Sequence, residues 1–228
     1  MLLVLGGADC RPRALPDNKE VNRGSTGKDA MSFWPAPSEP SEIHRLACKH
    51  PNEDEFFFPA GILLPPQSGA PFDEFIRRWF SKSLRRMDEP SLTCETPSAD
   101  TYRLLSLPTW GPPIAIRVML ASPTARVEVR RLSGSGGYDP GTLFANSTKS
   151  LSTTDVDRLK NAIAHSAFWS TPTYDADDML RVRDGTEWVL EGRSGNRYHV
   201  VFRGLPEPSK FRELCLLVLR LSGEESEL

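Results

Sequence analysis

Residues 187–203 read EWVLEGRSGNRYHVVFR, and this stretch decides the fold. Two runs rich in valine, leucine and aromatic residues flank Ser194-Gly195-Asn196, a combination that is typical of a β-hairpin. A three-residue turn pairs Trp188 with Phe202, Leu190 with Val200 and Gly192 with Tyr198 on one face, and Glu191 with His199 on the other. We expect this register because it keeps apolar and polar side chains on separate faces of the hairpin.

Three stretches show the three-and-four spacing of apolar residues that predicts an amphipathic helix. They span residues 72–87, 153–167 and 209–221. The first begins with acidic residues and ends with arginines, which suits the helix dipole. Ser152 and Asp155 predict a capping box at the start of the second helix, and Gly223 is a natural end for the third.

Three further strands precede the hairpin, at residues 102–107, 114–121 and 125–132. The element order is therefore α-β-β-β-α-β-β-α, which lacks the strand–helix alternation of a parallel sheet. We predict an α+β domain with a mostly antiparallel sheet of about five strands and three helices packed on one face.

This domain is expected to occupy residues 72–223 as a single unit. Residues 1–30 are polar and show no hydrophobic period, so we expect a disordered N-terminal tail. Residues 31–71 contain many prolines together with several aromatic residues, which indicates an irregular arm that packs onto the domain.

Charge and hydropathy exclude some classes of partner. The net charge is −2, which gives no field to concentrate the protein on nucleic acid or on anionic lipid. The chain lacks the apolar run that a membrane-spanning helix needs. Its first ten residues resemble the end of a bacterial lipoprotein signal, with Cys10 as a candidate for lipidation, although Asp9 replaces the usual small residue. The alternative is an ordinary frayed terminus.

The sequence also resembles a group of uncharacterised bacterial proteins. The resemblance rests on DGTEWVLEG at residues 184–192 and RYHVV at residues 197–201, and it covers about residues 72–223. Members of this group often have an exported or membrane-tethered N-terminus. The resemblance therefore implies a periplasmic or tethered location, with the cytoplasm as the alternative, and it implies no activity.

Cysteine and histidine residues give no standard metal site. The four cysteines are widely spaced, and Cys215 is expected to be a small buried apolar residue. If the chain is exported, Cys48 and Cys94 are the pair to test for a disulfide. A polar cluster of His44, Cys48, His50 and Glu53 could bind a soft cation, but its spacing favours an irregular segment. We therefore expect neither a metal nor a cofactor.

Glu191 and His199 are the candidate catalytic residues. Side by side on paired strands, a carboxylate could orient an imidazole as a general base. No nucleophile accompanies them in the sequence. The alternative is an exposed cross-strand pair without chemical function.

The loop that contains Gly134, Gly136, Gly137 and Tyr138 is the candidate binding segment. Its backbone amides could bind a phosphate, but the residues that follow it cannot begin a helix, so a flexible turn is the alternative. The first helix offers a second surface, because its outer face is basic and could attract an acidic partner or could simply be solvated. The basic residues are Arg77, Arg78, Lys82, Arg85 and Arg86.

These observations favour a non-catalytic protein over an enzyme. We expect a binding or inhibitor protein of the bacterial envelope that presents the polar face of its sheet, or the loop at residues 134–141, to another protein. The alternative is a small hydrolase or transferase that uses Glu191 and His199. A pocket around that pair would favour the enzyme, whereas an open face would favour binding.

Overall fold

A computed structural model describes residues 56–64, 68–93, 98–175, 185–204 and 208–224. All of them belong to one compact unit, Pro37–Leu228. Several predictions fall outside the described residues: the disordered tail, the lipidation of Cys10, the polar cluster between His44 and Glu53, and the pairing of Cys48 with Cys94.

Helices and strands lie close to their predicted positions. Helix α1 is Ala70–Arg86, α2 is Thr153–His165 and α3 is Lys210–Ser222. The strands are β1 Asp100–Pro108, β2 Ile114–Leu120, β3 Arg126–Leu132, β4 Leu143–Ser150, β5 Thr186–Ser194 and β6 Arg197–Gly204. Both predicted caps are present. The Ser152 hydroxyl accepts a hydrogen bond from the Asp155 amide at 3.1 Å, and Gly223 ends α3 with a left-handed φ of 87°.

The strands form one six-stranded antiparallel sheet in the order β4-β3-β2-β1-β5-β6. The predicted α+β class and antiparallel sheet are confirmed, with one strand more than expected. The additional strand, β4, reads LFANSTKS, and all eight of its residues are exposed. Its sequence lacks hydrophobic alternation because neither of its faces is buried, so the usual signal of a half-buried strand is missing.

Helices cover both faces of the sheet, so the prediction of three helices on one face is wrong. Helices α2 and α3 pack on one face, called here the α2–α3 face. Helix α1 and the irregular segment 56–64 pack on the opposite face, called the α1 face. The reason lies in the central strands, where the neighbours Leu104 and Leu105 are both buried. A strand with two apolar faces needs cover on both sides.

The predicted β5–β6 hairpin is present, but its register differs from the prediction by one residue. The turn contains two residues, Gly195 and Asn196, rather than three. The observed pairs include Ser194 with Arg197, Trp188 with Arg203 and Val189 with Phe202. Trp188 and Phe202 therefore point to opposite faces. Because both faces are covered, an apolar pattern on one face could not identify the register.

Candidate functional site

The candidate catalytic residues Glu191 and His199 do not lie side by side. Glu191 pairs with Val200 on the α1 face, and His199 pairs with Gly192 on the α2–α3 face. The prediction that they form a cross-strand pair is wrong, because the turn is one residue shorter than assumed and alternate residues point to opposite faces.

Glu191 is completely buried and is bound by an arginine and a tyrosine. The guanidinium of Arg103, on the neighbouring strand β1, donates to Oε2 through Nε at 2.8 Å and through Nη2 at 2.5 Å. The Tyr198 hydroxyl donates to Oε1 at 2.8 Å. Burial raises the pKa of Glu191, and the charge and hydrogen bonds of Arg103 oppose that rise. Burial and the adjacent Glu191 also raise the pKa of Tyr198 well above its ordinary value, which keeps its hydroxyl protonated as a donor.

A second buried carboxylate, Glu89, extends this network to the chain that follows α1. Nη1 of Arg103 donates to Oε2 of Glu89 at 3.3 Å and to the Pro90 carbonyl at 2.6 Å. Nη1 of Arg130, on β3, donates to the Met87 carbonyl at 2.5 Å, and its Nε lies 3.4 Å from Oε1 of Glu89. The side chains of Arg103 and Glu89 are 0% and 1% exposed, so the network is closed to solutes. We interpret it as the anchor that holds the end of α1 on the sheet.

His199 packs against aromatic side chains on the α2–α3 face. Its ring centroid lies 5.1 Å from that of Phe168. Nε2 lies 2.9 Å from the Thr171 carbonyl oxygen and donates to it, because a carbonyl can only accept. Burial lowers the pKa of His199, and the charges of Arg197 and Arg203 lower it further. The imidazole is therefore a neutral packing group at pH 7, contrary to the solvated pair that the sequence suggested.

We expect the His199→Gln variant to lose less stability than the wild type when the pH falls below about 6.5. The pKa of His199 is lower in the folded chain than in the unfolded chain. As the pH falls, the unfolded chain therefore binds this proton first, and stability present at neutral pH is lost. Urea unfolding at about pH 7.5 and about pH 5.5 measures the change, with the exposed His165→Gln as the matched control. Equal losses in all three proteins would contradict this assignment.

The glycine-rich loop between β3 and β4 uses its backbone amides within the protein. The amides of residues 134–138 donate, in chain order, to the carbonyls of Pro140, Asp139, Gly111, Thr109 and Ser135. A phosphate-binding loop needs amides that converge on the anion. These amides are already bonded, so the structure does not support that hypothesis for the loop.

Gly134 and Gly136 lie where a side chain has no room. A Cβ on Gly134 would lie 2.1 Å from the Asp139 carbonyl oxygen, and one on Gly136 would lie 2.7 Å from the Pro108 carbonyl oxygen. Glycine at 134 therefore lets the loop close on itself, and glycine at 136 lets it pack closely on the end of β1. This packing places Tyr138 against Trp110, with ring centroids 4.9 Å apart.

An open groove of about 440 Å³ lies between α1 and the loop. Its lining includes Phe75, Arg78, Trp79, Lys82, Gly137 and Tyr138. The Trp79 indole donates to the Gly136 carbonyl at 2.6 Å and so ties the helix to the loop. Together with Trp110, which contacts Tyr138, these residues form what we call the aromatic groove.

The rings at this groove are unusually exposed. Phe75 is 60% exposed, Trp110 68% and Tyr138 59%, and Phe72 on the same helix is 43% exposed. Contiguous apolar surface of this kind is a sign of a binding site in a soluble protein. Phe72 and Phe75 belong to the apolar spacing that predicts the helix over residues 72–87, yet both rings are exposed. The part of α1 that packs on the sheet is therefore narrower than its apolar stripe.

Two cations line the aromatic groove, and among the described residues no carboxylate does so. Arg78 pairs with Glu74 at 2.7 Å, and Lys82 lies 3.6 Å from Asp139. All four side chains are at least 44% exposed. Exposed ion pairs of this kind contribute only about 0 to 1 kcal/mol to stability. A carboxylate of a ligand could therefore take the place of Glu74 or Asp139 beside its cation.

The structure brings part of the predicted binding segment into this groove. Gly137 and Tyr138 line it, and Gly136 accepts the hydrogen bond from Trp79. Trp79 and Trp110 were not predicted from the sequence as groove residues. For Trp110 a signal was present: it begins the turn sequence WGPP at residues 110–113, where neither a strand nor a helix buries a large ring.

No protein-family model matches the chain, and no curated protein matches it either. Within the described part of the chain, no helix is long and apolar enough to cross a membrane, and no group of His, Cys, Asp and Glu side chains could hold a metal ion. Cys215 is buried as predicted, and burial raises the pKa of its thiol.

Proposed function

We propose that this is a non-catalytic binding protein that holds an extended, acidic, proline-containing segment of another protein in the aromatic groove. The observation that carries this proposal is the cluster of exposed rings, Phe75, Trp110 and Tyr138, beside two cations. If Cys10 carries a lipid, the partner belongs to the bacterial envelope.

The aromatic rings favour a ligand that presents flat apolar faces at intervals. A polyproline II segment does so, because each prolyl ring can lie against an aromatic ring and the chain is already extended before binding. This reduces the entropy lost on binding. The loop amides are bonded internally, so the ligand is recognised through side chains.

The cations favour acidic residues within that segment. Lys82 follows Arg78 by four residues along α1, so the two side chains lie on the same side of the helix, and both line the groove. Carboxylates spaced along an extended ligand could reach them while its prolines cover the rings. Complementary charge of this kind increases the association rate and the specificity more than the affinity.

The alternative of a hydrolase or transferase has no comparable support. Its two residues, Glu191 and His199, lie on opposite faces of the sheet, and Glu191 is 0% exposed. A general base must come within hydrogen-bond reach of its substrate. The buried arginine network around Glu191 leaves no room for this.

We expect a fluorescein-labelled peptide of about four Glu-Pro-Pro repeats to bind the protein in a fluorescence-polarisation titration. The substitutions Trp110→Ala and Tyr138→Ala should each raise the Kd of this peptide at least about tenfold. Lys82→Glu should also weaken binding, whereas Lys160→Glu on the exposed side of α2 is the matched control. Repeats of Lys-Pro-Pro should bind less well because of their charge, and repeats of Glu-Gly-Gly because of their larger entropy loss.

Two results would contradict the proposal. One is that none of the peptides binds to the wild-type protein. The other is that Trp110→Ala, with an unchanged unfolding curve, binds Glu-Pro-Pro repeats with the wild-type Kd.

A further inference from the structure

The first described segment of the chain begins at the edge of the aromatic groove. Phe56 starts the segment 56–64, and its ring centroid lies 4.0 Å from the guanidinium carbon of Arg77 and 5.3 Å from that of Arg78. Arg78 also lines the groove. The residues that precede Phe56 are therefore tethered within one side chain of the groove.

The direction of the same segment points back towards the second cation of the groove. The Phe57 amide donates to the Ser81 hydroxyl at 3.0 Å, and the Gly61 amide donates to the Asp73 carboxylate at 3.2 Å. The segment thus runs antiparallel to α1. Followed backwards along the chain, it leads towards the turn of α1 that carries Lys82, which lines the groove as Arg78 does.

A short repeat in the chain itself has the composition of the proposed ligand. Residues 37–42 read PSEPSE, two copies of Pro-Ser-Glu. Polyproline II has three residues per turn, so a three-residue repeat puts like residues on the same edge. In that conformation Pro37 and Pro40 share one edge, and Glu39 and Glu42 share another. The repeat would therefore present prolyl rings and carboxylates at intervals along an extended chain.

The charges of this repeat are complementary to those of the groove. Glu39 and Glu42 would lie about 9 Å apart, because each residue of polyproline II rises about 3.1 Å. Arg78 and Lys82 are about 6 Å apart along α1, and rotamers of these long side chains can bridge the difference. The acidic run EDE at residues 53–55 contains no proline, so it matches the charge of the groove but not its rings.

We infer that residues 37–42 occupy the aromatic groove of the same molecule, and that a partner binds by displacing them. The inference rests on the proposed function for the chemistry of the ligand. The thirteen residues 43–55 connect the repeat to Phe56 and reach up to about 45 Å when extended, which is ample for a groove that begins at Arg78.

The tether makes a weak contact sufficient. A short linker holds a segment at an effective concentration of about 1 mM. A repeat with a Kd of about 0.3 mM then fills the groove in roughly three quarters of the molecules and raises the apparent Kd of a competing ligand about fourfold. Only a ligand that binds more tightly than the chain's own repeat displaces it, which increases specificity.

The first test is fluorine NMR of the full chain labelled with fluorotryptophan, in which the variant Trp110→Phe identifies the resonance of Trp110. The double substitution Pro37→Ser with Pro40→Ser should move this resonance towards the frequency of solvent-exposed fluorotryptophan, because prolyl rings no longer cover the indole. Pro12→Ser with Pro16→Ser, two prolines outside the repeat, is the matched control and should leave the resonance unchanged.

The second test is competition for the groove. The Glu-Pro-Pro peptide should bind the variant Glu39→Gln with Glu42→Gln about two- to fourfold more tightly than the wild type, because the neutral repeat competes less well. Asp17→Asn with Glu20→Gln removes two carboxylates at the same spacing and is the matched control. Its Kd for the peptide should equal that of the wild type.

These two readouts separate the inference from the proposed function. An unchanged Trp110 resonance in the proline variant, with an unchanged unfolding curve, would overturn the inference, while tight binding of the peptide would still support the proposed function. A Trp110 resonance that moves, in a protein that binds no Glu-Pro-Pro peptide, would support the inference and contradict the proposed function. Docking within one molecule does not depend on concentration. A Trp110 response that is lost on dilution from about 200 to about 20 µM would therefore also overturn the inference, because the repeat would come from a second copy.

Discussion

We expect Arg103→Met to lower the free energy of unfolding by about 3 to 5 kcal/mol, because it leaves the buried carboxylate of Glu191 without its cation. Arg103 is 0% exposed and donates to Glu191, Glu89 and the Pro90 carbonyl. Methionine keeps most of the length of the side chain, so the predicted loss reflects charge and hydrogen bonding more than lost volume. Urea unfolding at pH 7, followed by tryptophan fluorescence, measures it.

The matched control for Arg103→Met is Arg126→Met. Arg126 also pairs with a carboxylate, at 3.0 Å, but its side chain is 46% exposed, so we expect a loss below about 0.5 kcal/mol. A double variant, Arg103→Met with Glu191→Leu, should recover much of the loss, because a buried ion pair can often be replaced by apolar residues. A loss of less than about 1 kcal/mol for Arg103→Met alone would show that the network is not an anchor.

The same network connects the core of the sheet to the aromatic groove. Arg103 and Arg130 bind the carbonyls of Pro90 and Met87, immediately after α1. Helix α1 also carries Trp79, whose indole holds the loop through Gly136. The groove is therefore formed by elements that are distant in sequence but fixed to one another, which preorganises it for a ligand.

Most elements of the fold could be predicted from the sequence because their apolar residues follow a recognisable pattern. The helices and β3 show a regular apolar period, and β1 is a nearly continuous apolar run that is buried on both faces. Strand β4 could not be predicted, because its residues are exposed on both faces and are specified by pairing with β3 alone. Its role as an edge appears only once the strand order is known.

The candidate site was harder to predict, because it depends on contacts between distant segments. The loop around Gly136 and Tyr138 was recognised from its glycines. Trp110 joins the groove through the contact of its ring with Tyr138, and Phe75 joins it through the packing of α1 on the sheet. The predicted pairing of Glu191 with His199 was wrong because the turn contains two residues and not three. With apolar residues on both faces, turn length and not hydrophobic pattern sets the register of β5 and β6.

We expect Trp188→Ala to lower the free energy of unfolding by about 3 to 5 kcal/mol, since it removes a large side chain from the core. Trp188 is 2% exposed and packs on the α2–α3 face with Leu190 and Val201. Phe202 lies on the other face, where its ring centroid is 5.2 Å from that of Phe80. Urea unfolding of each single variant to alanine measures these losses.

Double-mutant cycles then test which faces these rings occupy. Trp188→Ala and Phe202→Ala should be additive within about 0.5 kcal/mol, because the sheet separates the two side chains. Phe80→Ala and Phe202→Ala should instead show a coupling of about 0.5 to 1.5 kcal/mol, as contacting aromatic rings do. A coupling between Trp188 and Phe202 as large as that between Phe80 and Phe202 would place both rings on one face. Such a result would support a three-residue turn and the pairing of Glu191 with His199.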